Sequence, residues 1–299
     1  MGGSAGNRHR GERWHAIAVL VVAACAGILA PSAGAATLKP DLSTRHFKHI
    51  RLCQEAPDVI TKDDACTGSG RTVMRITNQV ANRGAGPLEF AADDSPTQPD
   101  CNPAPGATDD IIVDQVLYLD DGDGGFERDE DTDFRTRRAG CRYYHPAHDH
   151  YHLDGYAKFE LRSEKTGKRA ARGRKVSFCI SDSFPFDLGM LGAPADAYYE
   201  ITGCEGRESI TGTSVGWYDE YIWKISGQEI DVTDVPAGRY CLISEADPGG
   251  ELREKTTRNN DRGQRIRLDP ADAPSNPPGS LDPVSAPVEE LSGRCRLGD

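Results

Sequence analysis

Beyond residue 35 this chain of 299 residues has no apolar run long enough to cross a bilayer, so no transmembrane segment is expected. It also has no long amphipathic helical pattern, which removes the all-α classes. No internal repeat is found, so a solenoid is excluded. The cysteines never form a C-x-x-C pair, which speaks against cysteine-based zinc sites. Basic residues are outnumbered, 35 Lys+Arg against 47 Asp+Glu, for a net charge of −12. Such a chain lacks the basic footprint that phosphate backbones require, so no nucleic-acid partner is expected. A cationic substrate would instead be drawn to it.

What is present begins with Arg8, Arg10 and Arg13, followed by the apolar run from Ala16 to Ala30 and the small-residue site Ala33-Gly34-Ala35. That order reads as an export signal over residues 1–35, and a secreted protein follows. The alternative is a lipid anchor at Cys25, preceded by Val22-Ala23-Ala24. The apolar Ile28-Leu29-Ala30 after that cysteine argues against it. Eight cysteines then remain, an even number that allows up to four disulfides in an exported chain.

Short alternating apolar runs between glycine, proline and aspartate give strands near Thr72–Val80, Ile111–Leu119, His148–Leu161, Val176–Ile180, Tyr218–Ile225 and Gly238–Ser244. The expected fold is mostly β: a single β-sandwich-like domain over residues 36–268, with long loops and disulfide staples. Residues 269–299 are rich in proline and acid and read as an extended tail whose end Cys295 pins. Asp120 to Asp133 (DDGDGGFERDEDTD) is either a solvated hairpin tip or a calcium loop. Its glycines and carboxylates fit the calcium register imperfectly, so the hairpin tip is the simpler reading.

The densest chemistry lies in residues 141–161, CRYYHPAHDHYHLDGYAKFEL, with four of the eight histidines in eight positions. His148, His150 and His152 share one face of a strand, because strand side chains repeat every two residues. Three imidazoles on one face suit copper, zinc, iron or nickel. The bland alternative is a hydrophilic surface strand that binds metal only adventitiously. In a flat strand His148 and His152 are about 13 Å apart, so the strand must bend or the outer rings must lean inward. His145, at odd spacing beyond Pro146, is expected outside the ligand set. A non-haem iron triad lacks a later histidine, and blue copper needs a free thiolate, whereas a His₃ zinc site stays open.

These residues resemble the lysyl oxidase family. HPAHDHYH followed by YAKFEL is similar to its copper-binding segment. GRKVSFCISD (173–182) and GWYDEY (216–221) are similar to the segments that furnish its lysine tyrosylquinone. EIDVTDVPAGRY (229–240) and TRNN (257–260) follow in order, and residues 51–90 resemble its opening strands. The likeness covers about 45–268, with an insertion at 91–140. Ala147 and Trp217 replace family cysteines, and Tyr144 replaces a tryptophan, as in a microbial branch. Two disulfides of the animal members are thereby lost, and Cys101 and Cys141 are expected to form a new one across the insertion.

By position, the resemblance makes His148, His150 and His152 the copper ligands, and Lys175 and Tyr221 the precursors of lysine tyrosylquinone. Asp219, on the same strand face as Tyr221, is a candidate base. Without the resemblance, Lys175 reads as an exposed edge-strand lysine and Tyr221 as a packed aromatic. The implied activity is oxidation of primary amines, peptidyl lysine or polyamines, by O₂ to aldehyde, ammonia and hydrogen peroxide. Two other readings stay open: an exported copper-binding or copper-buffering protein without a quinone, and a His₃ zinc hydrolase.

Overall fold

A computed structural model describes residues 35–57, 65–92, 108–146, 148–173, 175, 177–277 and 282–295. Nearly all of the export-signal segment, Cys25 and Cys101 lie outside the described residues. The first strands are β1 (Leu42–Thr44), β2 (Lys48–Glu55), β3 (Arg71–Asn82), β4 (Leu88–Ala92), β5 (Thr108–Tyr118) and β6 (Phe134–His145). Next come β7 (His150–Leu153), β8 (Ala157–Ser163), β9 (Arg169–Arg172), β10 (Phe184–Pro185), β11 (Thr211–Thr213) and β12 (Trp217–Tyr221). The last are β13 (Glu229–Asp231), β14 (Gly238–Ala246), β15 (Asp261–Leu268), β16 (Ala286–Pro287) and β17 (Glu289–Glu290).

These strands form three antiparallel sheets. One runs β10-β12-β3-β2-β16, with β1 and β13 also on β3; the others run β11-β4-β5-β6-β7 and β17-β15-β14-β8-β9. Apolar side chains from all three meet in one core, among them Ile76, Phe90, Val113, Leu153, Phe159, Leu242 and Ile266. Burying such surface is the main stabilising term, and alternation along each strand delivers it to one side. The mostly β reading therefore holds, with three sheets around the core. Disulfides join Cys53–Cys66, Cys179–Cys204 and Cys241–Cys295.

Central strand β3 is buried along almost its whole length, so its polar side chains need partners. Arg75, fully buried, has them: Nε donates to Glu55 Oε2 at 2.7 Å, and Nη1 donates to the carbonyls of Trp223 and Ile225.

Four expectations change in detail. The run 148–161 is two strands in different sheets, because the turn at Asp154-Gly155, with Gly155 at φ 71°, ends β7 before β8 begins. Residues 177–180 make no named strand, and Phe178 instead forms one antiparallel bridge to Leu153. The insertion builds β5, the acidic hairpin tip and most of β6, so it supplies the sheet that carries β7. The tail is sewn down: β16 pairs with β2, β17 with β15, and Cys295 bonds Cys241.

Candidate metal centre

Strands β6 and β7 form a hairpin in which Tyr143 faces His152 and His145 faces His150. Directly opposed residues share a face, so these four side chains project to the same side. Pro146 has no N–H and stops the β6 ladder. Asp149 takes a φ of 58°, a conformation aspartate tolerates better than most residues. The N–H groups of His148 and Asp149 both donate to the His145 carbonyl, at 2.9 and 3.0 Å. His148 therefore lies in the turn, not on the strand, and its ring folds back over the others. This is the bend that a flat strand lacked.

Ring nitrogens converge as a result. His148 Nδ1 lies 3.2 Å from His152 Nε2, and His150 Nε2 lies 2.9 Å from the same atom. Two nitrogens each about 2 Å from a tetrahedral metal sit roughly 3.3 Å apart, so the spacing fits such an ion. His145 belongs to the cluster too, contrary to expectation. Its ring stacks on His148 with centres 4.3 Å apart, and nitrogens of His145, His148 and His152 lie within 4.8 Å of one another. Its Nδ1 is buried with no hydrogen-bond partner. Cross-strand pairing put it there: His145 and His150 flank the four-residue Pro-x-x-Asp loop and face each other across the hairpin.

His152 is fully buried, and its orientation is set from behind. Ser177 Oγ lies 3.2 Å from His152 Nδ1 and 2.5 Å from the Tyr143 hydroxyl. With Nδ1 holding the proton toward Ser177, Nε2 presents its lone pair to the cluster. Burial, then the charge of Lys175, lowers the pKa of His148 to about 3 and pushes His152 well below its ordinary value. Burial lowers His145 and His150 as well. Neutral imidazole is the form that binds metals.

Beside the histidines, Phe178 bridges β7, with Leu153 and Phe178 exchanging both backbone hydrogen bonds at 2.7 and 2.9 Å. Lys175 is buried, not exposed, and its Nζ lies 5.1 Å from the centre of the Tyr221 ring. Burial lowers its pKa from 10.5 to about 7, against the pull of Asp219 and Glu229. Tyr221 is buried on β12, edge-on to Phe178 with ring centres 4.7 Å apart. Its hydroxyl donates to the Cys179 carbonyl, in a segment tied down by the Cys179–Cys204 disulfide. Burial holds the phenol pKa well above its usual value. Asp219 is buried with Oδ2 unpartnered, and burial raises its carboxyl far above the ordinary range. The structure thus brings Lys175, Asp219 and Tyr221 together.

Residues 128–273 match the family model for lysyl oxidase. This segment is a lysyl oxidase domain. It holds all four histidines together with Lys175, Asp219 and Tyr221, whereas the likeness seen at 51–90 lies outside it. Lysyl oxidase homolog 1 of Homo sapiens is 36% identical over 118 residues, 39% of this chain and 19% of that protein. Protein-lysine 6-oxidase of Rattus norvegicus is 34% identical over 131 residues, 43% of this chain and 29% of the relative. For the Sus scrofa protein the identity is again 34%, over 43% of this chain and 48% of the relative. The matched stretch thus spans less than half of each of these relatives.

The acidic loop between β5 and β6 also groups carboxylates, those of Asp120, Asp121 and Asp131. Most are occupied locally. Asp120 Oδ1 accepts from Gly122 and Gly124 N–H, and Asp131 accepts from Asp121 and Glu127 N–H at 3.1 and 2.8 Å. The loop's own amides account for these contacts, as in a solvated hairpin tip.

Proposed function

We propose that this chain is an exported copper-dependent amine oxidase that converts R-CH₂-NH₂, O₂ and water to aldehyde, ammonia and hydrogen peroxide. One observation carries the reading: a neutral, converging histidine cluster shares a buried site with a lysine amine 5.1 Å from a tyrosine ring. No ordinary side chain can accept the electrons of amine oxidation, so a carbonyl electron sink must be built from the chain. In this proposal it is lysine tyrosylquinone, from Lys175 and Tyr221. Copper at His148, His150 and His152, with His145 beside them, would supply the redox chemistry with O₂ that oxidises a phenol ring.

The chain's own groups do the rest. Ser177 orients His152, and the Cys179 carbonyl holds the Tyr221 hydroxyl. Lys175, neutral above about pH 7, is nucleophilic, and rotation of its side chain closes the remaining gap to the ring. Asp219 is the group positioned to take a proton from the substrate carbon. Burial makes its carboxylate, when ionised, a stronger base than an ordinary one. The substrate class is a cationic primary amine, a protein lysine as the relatives' names state or a small polyamine, and the acidic surface favours its approach.

Peroxide release with cadaverine from copper-loaded protein tests this. Wild type is expected to turn over, while Lys175→Ala and Tyr221→Phe bind copper and give no peroxide. Copper-loaded wild type that is colourless and inactive would favour a copper-buffering protein instead.

A further inference from the structure

The acid excess of this chain makes one surface anomalous. A cavity of about 500 Å³ is lined by Arg45, Lys48, Arg83 and Arg262, with His46 among them and Asp261 as the acidic group in its wall. These cations come from three separate segments, the β1–β2 connection, the end of β3 and the start of β15. Some cations elsewhere on the surface are paired, as Lys158 is with Glu245 and Arg267 with Glu289. Among the described residues, Arg45, Lys48, Arg83 and Arg262 have no carboxylate within ion-pair distance. Concentrating four unpaired cations in one hollow is electrostatically unfavourable unless something negative offsets it.

Two of the guanidinium groups are also pinned. Arg83 Nε donates to Ser43 Oγ at 3.0 Å while its carbon sits 4.6 Å from the Phe186 ring centre. Arg45 Nε donates to Gln79 Oε1 at 3.1 Å and packs over Tyr218 at 5.1 Å. In both, one edge and one face are held by the protein, which leaves the terminal N–H groups to point outward as a preformed fork. A fork of this kind matches the oxygens of a phosphate or sulfate, and stacking on aromatic faces lowers the entropy lost on binding. Tyr218 alternates with Asp219 and Tyr221 along β12, so the hollow lies on the opposite face of that strand from Lys175 and Tyr221.

We propose that this hollow binds a multivalent oxyanion, a ligand with two or more phosphate or sulfate groups. One group sits between Arg45 and Arg83, and a second is reached by Arg262 and Lys48. The volume exceeds what a single phosphate fills, which is why a multivalent ligand fits it better than a lone ion. The site stands whether or not the chain oxidises amines.

Calorimetry on the full chain tests it, with inorganic tripolyphosphate and a heparin-derived hexasaccharide as separate probes. Tighter binding of the first names phosphate as the source, and of the second, sulfated sugar. Saturable binding at one site is expected, weakened about tenfold or more by Arg83→Ser with Arg262→Ser. Both side chains are exposed, and circular dichroism checks that the fold is kept. The control Arg169→Ser with Arg172→Ser removes two exposed cations from β9 and is expected to leave affinity unchanged. Equal loss in both double variants, binding that survives the first, or no saturation by about 1 mM would each overturn the site.

Discussion

Replacing Ser177 by alanine removes one oxygen, yet that oxygen is what fixes the ring of His152 from behind. Without it the buried imidazole is free to turn, and its lone pair is no longer held toward His148 and His150. Copper affinity is expected to fall about 10- to 100-fold, the usual cost of losing an outer partner of a metal-bound histidine. A copper titration of Ser177→Ala beside wild type checks this, and equal affinities would mean that Ser177 does not orient the ring. Lys175 gives a second residue-scale test. Its pKa is lowered to about 7, so the amine is charged below that value and neutral above it. A C–N bond to the Tyr221 ring needs the neutral form. The rate of crosslinking is expected to climb through about pH 7 and to level off by about pH 8, where roughly 90% of the amine is neutral. A rate still rising toward pH 10 would mean a lysine in water.

Among the elements, the β12–β13 loop has the most direct hold on the lysine. Gly227 lies at φ 82°, and a Cβ there would come within 3.1 Å of Lys175 Cβ. Gly227→Ala is expected to destabilise the fold by about 1–2 kcal/mol through the left-handed backbone alone. Contact with Lys175 should also lower the crosslinked fraction. Urea denaturation with mass spectrometry of the same sample measures both; an unchanged midpoint would remove the strain argument. Elements also show what could be read in advance. The strands β3, β5 and β14 were legible because apolar alternation is a property of one segment. The hairpin of β6 and β7 was not, since period two runs on through His148 and through Asp154-Gly155 while the chain turns at both. His145 was set aside for the same reason: its place depends on facing His150, a relation between strands. The contact of Ser177 with His152 was not legible either, because the two residues come from different parts of the chain.

At the scale of the molecule, the site is an assembly of distant pieces. The histidines hang on a sheet built from the insertion, Lys175 rides on the segment beside β7, and Tyr221 belongs to a strand of a different sheet. The Cys179–Cys204 disulfide fixes the segment that receives the Tyr221 hydroxyl, and Cys241–Cys295 closes the tail onto the third sheet. Only a folded chain puts these groups within reach of one another. Peptide mass spectrometry of protein matured with copper under air is therefore the sharpest test. The expected result is a proteolytic species joining the Lys175 and Tyr221 peptides, formed in the folded protein and missing when copper is withheld. Full recovery of both peptides unmodified, from folded protein with copper bound at the histidines, would contradict the oxidase.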